Sequence, residues 1–456
     1  MTRIYPPLVV AKFGGTSVAD AEAMNRSAQI VLADEQVRVV VLSASSGVTN
    51  LLVALSEGLE APVRQDNIET LRALQYRIIA SLKQPDDVRQ KIDALLDTVT
   101  SLAKLATTAP SSALSDTLVS HGELMSSLLF TEILRERGAH VLWQDAREII
   151  RTDACFGCAE PNLAAIAHQA QTHFLPHVEH AVIITQGFIG SDDAGRTTTL
   201  GRGGSDYTAS LLGEALQACR VDIWTDVAGI YTTDPRVVPQ AQRIEDISFT
   251  EASDMATYGA KVLHPATLLP AMRKNIPVFV GSSKNPQAGG TLVRRETENP
   301  PRYRAIALRR GQTLIRCSRP GAQSTSDFNA KIFALLAEHQ VAAEILTTSE
   351  AGVALVLDAT HATSGDDREL IITLHGALST YCDVEIESDL ALMTLVGHQL
   401  AQSAGVYREV FYELDACAVR MICHGPSEGH LSFLLPGESA EGALKVLHRQ
   451  LFERAA

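Results

Sequence analysis

Thr197-Thr-Thr-Leu-Gly-Arg-Gly-Gly-Ser-Asp-Tyr-Thr208 gathers small hydroxyl residues, three glycines, one arginine and one aspartate into a single stretch. An apolar run, Ala181-Val-Ile-Ile-Thr-Gln-Gly187, comes before it. A helix-like run, Tyr207-Thr-Ala-Ser-Leu-Leu-Gly-Glu-Ala-Leu216, follows at once. That order puts glycine-rich backbone and a Ser/Asp cap at the N-terminus of a helix. Exposed N–H groups and the positive end of the helix dipole make such a place an anion site. Arg202 adds a planar fork suited to a carboxylate or phosphate. A plain flexible turn has the same local composition, so the meaning of the stretch depends on the rest of the chain.

Outward from this loop, apolar strands alternate with helices. Leu8–Phe13, Val37–Ser43, His140–Trp143, Ala181–Thr185, Val221–Trp224 and Pro277–Gly281 read as strands. Residues 66–107 and Ser112–Arg137 read as helical, the latter from the spacing of Leu114, Leu118, Leu124, Leu128 and Ile133. Apolar strands separated by helices imply an α/β fold with a mainly parallel sheet sandwiched by helices. Ligands of such sheets sit at the carboxyl ends of the strands, where the glycine and hydroxyl clusters of this chain fall.

Composition changes at the linker-like Glu296-Thr-Glu-Asn-Pro-Pro301. Beyond it, strands at 312–317, 341–346, 353–358 and 382–386 alternate with helices at 326–340 and 366–378. Strands at 391–396, 416–422 and 431–435, with helices at 405–414 and 440–452, repeat the rhythm. Two tandem ferredoxin-like βαββαβ units are expected. The predicted domains are 1–297, 298–388 and 389–456, the last two able to exchange strands.

The chain has 456 residues, enough for two or three domains, with 46% hydrophobic and 20% charged residues. A net charge of −14 argues against a nucleic-acid surface, which needs a basic face. No run reaches the roughly 18 apolar residues that span a bilayer, and the N-terminus lacks a signal-peptide core. A cytoplasmic protein without a membrane partner is therefore expected. The seven cysteines include one C-x-x-C pair, Cys155-Phe-Gly-Cys158. Without a second pair at zinc spacing or a thioredoxin-like context, it reads as two ordinary loop thiols.

Four further segments carry chemistry. Lys12-Phe-Gly-Gly-Thr-Ser-Val18 puts a lysine at the tip of a buried strand before two glycines, Gly14 and Gly15, so it can reach a phosphate while the backbone closes around it. The chain has neither a Walker A loop nor a G-x-G-x-x-G after a strand. Ser43-Ala-Ser-Ser-Gly-Val-Thr-Asn50 is a second small-residue loop after a strand. Val119-Ser-His-Gly-Glu-Leu-Met125 places His121 and Glu123 in an apolar helix. A buried glutamate is costly unless paired, so Glu123 suits a substrate ammonium; His121 suits a structural hydrogen bond. Trp224-Thr-Asp-Val-Ala-Gly-Ile-Tyr-Thr-Thr-Asp-Pro-Arg236 has the hydroxyls, acids, aromatic and arginine that a nucleotide needs, and Tyr258-Gly-Ala-Lys-Val-Leu-His-Pro265 offers a second phosphate lysine, Lys261.

Together these segments resemble the amino-acid-kinase superfamily, and within it the aspartate kinases of the single-function, lysine-sensitive aspartokinase III type. The likeness runs from Lys12 to about Leu292 and continues through a tail that resembles paired ACT domains. It implies an amino-acid-kinase fold with two ferredoxin-like ACT domains, no fused homoserine dehydrogenase, and a homodimer formed through the ACT units. It implies transfer of a phosphoryl group from ATP, with Mg²⁺, to the β-carboxylate of L-aspartate. In that reading Lys12 and Lys261 neutralise the transferring group, and Asp206 organises the lysines or the metal; no residue is assigned as a direct metal ligand. Arg202 clamps an aspartate carboxylate, Glu123 holds its ammonium, and Ser43, Thr49, Gly203, Gly204 and Ser205 complete that pocket. Gly14, Gly15, Thr225, Asp226, Tyr231 and Arg236 join the two lysines around ATP. Glutamate and N-acetylglutamate kinases, or a non-catalytic amino-acid sensor on the same fold, are the competing readings. The paired ACT tail, the S-H-G-E helix and the presence of Lys12 and Asp206 weigh against them.

The chain departs from the lysine-sensitive pattern S-x-N-M-L-x-x-x-G-F-L at Ser318-Arg-Pro-Gly-Ala-Gln-Ser-Thr-Ser-Asp-Phe-Asn329. Ala322 replaces the methionine, Asp327 the glycine and Asn329 the leucine, and Glu344 stands where aspartate is usual. Phe328 and Thr347-Thr-Ser-Glu350 are retained. The effector residues of this reading are Ala322, Thr325, Phe328, Asn329, Glu344, Thr348 and Ser349. A reshaped pocket with weak or absent lysine inhibition is expected, on the ground that a glycine supplying special backbone angles is not readily exchanged for aspartate.

Overall fold

The computed structural model describes residues 7–259, 263–321, 324–339, 341, 343–357, 367–424 and 428–453. They divide into two compact units. One holds the described residues up to Ile230, Arg243–Ala256 and those from Leu263 to Glu298. The other holds Tyr231–Gln242, Thr257–Gly259 and those from Asn299 onward.

In chain order the first unit contains β1 (Val9–Phe13), α1 (Ala21–Ala33), β2 (Val37–Leu42), α2 (Val48–Ser56), α3 (Ala61–Ile79), α4 (Asp86–Ala106), α5 (Ser112–Glu136), β3 (Val141–Trp143), α6 (Leu163–His173) and β4 (Val182–Gln186). It continues with β5 (Ile189–Ser191), β6 (Thr197–Thr199), α7 (Gly204–Leu216), β7 (Arg220–Thr225), β8 (Asp246–Ser248), α8 (Phe249–Tyr258, whose last residues belong to the second unit), α9 (Pro265–Lys274), β9 (Val278–Ser282) and β10 (Gly290–Arg294). Eight strands form one sheet in the order β3-β4-β2-β1-β7-β9-β10-β8. All neighbours are parallel except β9 and β10. The near-continuous burial of β1 and β2 is what a sheet covered on both faces requires.

Alternation along β1 sets the two faces. Val9, Ala11 and Phe13 join the apolar layer formed by α1 to α5, with Met24, Leu52, Leu71, Val99 and Phe130. Lys12 points the other way, to α7, where its ammonium pairs with Asp206. The chain leaves β1 to build β2 and β4 on one side and β7 and β9 on the other, so the carboxyl end of β1 is the switch point of the sheet.

The second unit contains β11 (Ala305–Ser318), α10 (Thr325–Glu338), β12 (Ala343–Thr348), β13 (Gly352–Leu357), α11 (Asp367–Ser379), β14 (Asp383–Val396), α12 (Val406–Glu413), β15 (Met421–Cys423), β16 (His430–Pro436) and α13 (Gly437–His448). Six strands make one antiparallel sheet, β12-β13-β11-β14-β16-β15. Two ferredoxin-like halves share it. The strand expected at 312–317 begins at Ala305, and the strands expected at 382–386 and 391–396 are one strand, so the expected boundary after residue 388 lies inside β14. The reason is pairing: Ala305–Arg310 lie against Val396–Ala391, supplying the fourth strand of the second half from chain that precedes the first half.

Candidate active site

Loops after β1, β2 and β4 and the first turns of α2 and α7 surround a cavity of about 370 Å³. Lys12, Gly15, Ser43, Thr49, Glu123, Gly203, Gly204, Ser205 and Asp206, all expected at the site, line it. Ser45, Asn50 and Phe188 line it as well. The sequence offered a signal for the first two, since both lie in the small-residue loop after β2; Phe188 carried none.

Lys12 is 8% exposed and forms an ion pair with Asp206 in the first turn of α7. Asp206 thus holds the ammonium at the cavity wall. The sequence reading made Ser205 and Asp206 caps; instead Gly203 caps α7, with φ 73° and no side-chain cap bond. The left-handed backbone there and the closeness of His264, whose Cβ would lie 2.6 Å from a Cβ on residue 203, both require glycine. The Gly204 N–H donates to the Gly201 carbonyl at 3.0 Å, so the opening N–H groups left to α7 are those of the cavity-lining Ser205 and Asp206.

Glu123 enters from α5 on the opposite wall. Gly122 lets the helix press on the loop after β2: a Cβ there would lie 2.7 Å from the Ala44 Cβ. The Ala44 N–H consequently donates to Glu123 Oε1 at 3.0 Å. Oε2 is buried and has no hydrogen-bond partner. Burial pushes the Glu123 carboxyl from its ordinary 4.5 up to about 8, against the smaller opposing effects of the Ala44 bond and Lys12. An unsatisfied buried acceptor beside a cavity is the complement of a cationic ligand. His121 bonds the Thr117 carbonyl through Nδ1 at 2.8 Å, and burial lowers its pKa.

The Arg202 side chain is exposed, between the cavity-lining Gly201 and Gly203, and has no partner among the described residues. Gly14 donates its N–H to the Trp224 carbonyl at 3.0 Å, joining the ends of β1 and β7. Thr225 ends β7, and its hydroxyl donates to the exposed Asp226 at 3.3 Å. Tyr231 and Arg236 belong to the second unit, where Arg236 pairs with Asp234 at 2.7 Å. Lys261 lies outside the described residues, as does Ala322.

Of the expected effector residues, Phe328 is fully buried and stacks on Tyr381 at 5.7 Å, so its place is in the core. Thr325 opens α10, and Asn329 Oδ1 on the same helix has no hydrogen-bond partner. Thr348 ends β12 beside Ser349, whose N–H bonds the Gly352 carbonyl at 2.9 Å. For Glu344 only the backbone position in β12 is described. Asp327 sits in the first turn of α10, and among the described residues it is not one of those with positive φ. The exchange of glycine for aspartate there therefore adds a carboxylate without straining the backbone, and the backbone-angle argument made from sequence does not apply.

Residues 7–282 match the model of the amino acid kinase family, and residues 393–451 match an ACT domain model. The chain belongs to the amino acid kinase family. It is 57% identical over 446 residues to the lysine-sensitive aspartokinase 3 of Escherichia coli strain K12, covering 98% of this chain and 99% of that protein. The aspartokinase of Chlamydia pneumoniae is 34% identical over 456 residues, with 98% of each chain covered. The crystal structure of E. coli aspartokinase III in complex with aspartate and ADP, described as the R-state, matches with a TM-score of 0.91 at 57% identity over 98% of this chain and 100% of that one. The same enzyme in complex with lysine and aspartate, described as the T-state, matches with a TM-score of 0.84 at 56% identity over 98% and 99%. Within its family the chain is an aspartate kinase. Among the described residues no helix is long and apolar enough to cross a membrane.

Proposed function

We propose that the enzyme transfers the γ-phosphoryl group of ATP to the β-carboxylate of L-aspartate, giving 4-phospho-L-aspartate, the first step toward lysine or diaminopimelate, threonine and methionine. The observation that carries the assignment of the amino-acid site is Glu123: a buried carboxylate with one bonded and one free oxygen, lining the same cavity as the Lys12–Asp206 pair. Glu123 receives the substrate ammonium, and Arg202 grips a carboxylate at the mouth. The β-carboxylate is already an anion and needs no general base. The chain's task is to bring it against a polyanion, so catalysis rests on positioning and charge neutralisation. Lys12, aided by the first turn of α7 and by Lys261, offsets the charge of the transferring group. Gly14, Gly15, Thr225, Asp226, Tyr231 and Arg236 serve the nucleotide.

Magnesium would be carried chiefly by the nucleotide phosphates, with Asp206 organising the lysines or assisting the metal. Among the described residues no cluster of three or more His, Cys, Asp or Glu could hold a metal ion. When bound, it neutralises phosphate charge.

A hydroxamate assay with ATP and aspartate, glutamate or N-acetylglutamate tests the substrate: only aspartate is expected to give product, and product from either other acid with none from aspartate overturns the assignment. We further propose a cytoplasmic homodimer joined through the ACT domains, with lysine control weakened. Asp327 places a negative charge at the start of α10, and Ala322 and Asn329 replace apolar side chains of the lysine-sensitive pattern. A titration of initial rate with lysine is expected to leave most activity at concentrations that silence a lysine-sensitive enzyme; complete inhibition refutes the altered pocket.

A further inference from the structure

We propose that Cys155 and Cys158 form a reversible dithiol–disulfide site whose redox state sets how tightly the Gly201–Gly204 loop holds the amino-acid substrate. The proposal rests on the reading of that loop as part of the aspartate pocket. Both thiols are exposed, and their sulfurs are 3.2 Å apart. The intervening residues already form a tight turn, closed by the Cys158 N–H on the Cys155 carbonyl at 3.2 Å, with Gly157 at φ 87°. Closing to a covalent S–S distance of about 2.0 Å asks the sulfurs to approach by only about 1 Å.

The turn is tied to the substrate loop by several contacts. The Gly157 N–H donates to Asp116 Oδ2 at 2.9 Å, and the same oxygen accepts the Thr199 N–H at 2.8 Å. The Thr199 hydroxyl donates to Asp116 Oδ1 at 2.9 Å, and the Ala159 N–H donates to the Thr199 carbonyl at 2.9 Å. Gly201 lies directly on the turn: a methyl group on it would stand 3.2 Å from the Gly157 carbonyl oxygen and 3.7 Å from the Cys158 Cα. Between the cysteines, the Phe156 ring is held under the Arg196 guanidinium at 4.9 Å. The turn therefore cannot tighten by swinging outward alone; it draws the Gly157 N–H from Asp116 and loosens Thr199–Gly201, next to Arg202.

The oxidant is a small-molecule disulfide. One thiolate of the pair attacks it, forming a mixed disulfide and expelling one small thiolate; the second thiolate then attacks the mixed disulfide and expels the other. Two protons leave the pair, one disulfide is reduced and one is formed. A small dithiol reverses the exchange.

The full-length enzyme is treated with glutathione disulfide, alkylated and digested with trypsin. The peptide Thr152–Arg196 contains no cysteine besides this pair. It is expected to lose both alkylatable thiols and become lighter by two hydrogens, while the aspartate KM rises about fivefold or more, the ATP KM stays put and dithiothreitol restores both. A peptide that keeps both thiols overturns the proposal. So does a disulfide that leaves the aspartate KM unchanged, or an equal KM shift in the Cys155→Ser/Cys158→Ser variant, which is expected to keep its reduced activity under oxidant. Peptide mapping uses no substrate, so failure of the pair to close is distinct from failure of the aspartate assignment.

Discussion

Replacing Glu123 with glutamine tests the amino-acid site through its protons. With a carboxyl pKa of about 8, only about one Glu123 in ten is ionised at pH 7 in the free enzyme. Binding an ammonium favours the carboxylate, so aspartate must expel close to one proton at that pH. By linkage the aspartate KM falls as pH rises, roughly 20-fold between about pH 6.5 and 8.5, and levels off above the pKa. Stability runs the other way. The folded pKa lies above the ordinary 4.5, so the folded state holds the extra proton between about pH 4.5 and 8, and the contribution is lost as pH rises through that window. Its full size is about 5 kcal/mol, from 1.36 kcal/mol for each of about 3.5 pH units. Glu123→Gln is expected to flatten the KM profile and raise the aspartate KM roughly 10- to 100-fold at alkaline pH, the worth of one charge-assisted bond. It is also expected to remove the fall in melting temperature between neutral and alkaline pH. Calorimetric titration with aspartate in buffers of different ionisation enthalpy measures the proton directly. A wild-type enzyme that releases no proton, with a KM flat in pH, refutes the assignment.

Arg202→Ala is expected to lower kcat/KM for aspartate far more than it weakens ATP binding; near-normal aspartate kinetics in that variant would remove Arg202 from the clamp. Gly203→Ala forces a left-handed side-chain residue against His264, so a loss of roughly 1–2 kcal/mol, read as a lower melting temperature, should accompany a raised aspartate KM. Unchanged stability would mean that the cap relaxes freely.

The strands at the centre of the site were legible as mostly apolar runs closed by glycine or serine: Val9–Phe13, broken only by Lys12, before Gly14, and Val37–Leu42, broken only by Arg38, before Ser43. Glu123 was legible as a polar residue out of place in an apolar helix. Gly203 as the cap was not, because three glycines and two conventional capping residues stand within six positions, and only the approach of His264 selects among them. Ala305–Arg310 went unread because its partner, Ala391–Val396, is remote in sequence, and Arg309-Arg310-Gly311 looks like a break. That break is an irregularity within one strand, where the register shifts between Arg310 and Gln312. Phe328 was assigned by likeness to a motif, and a motif does not say which of its side chains face a ligand and which face the core.

The long strand β11 makes the two regulatory halves host and guest. Arg310 lies opposite Ala391, so the whole first half is spliced between neighbouring positions of the second, where a short turn could have stood. Cutting out the guest and joining those two residues would leave the host with its four strands. Removing only the part of the host that follows Leu390 would leave the guest trailing Ala305–Arg310 as an edge with no strand beside it. During synthesis the host's outer strand emerges first and must wait for the entire guest before its partner arrives, a loop-closure cost that the early folding of the guest reduces by drawing the two junctions together.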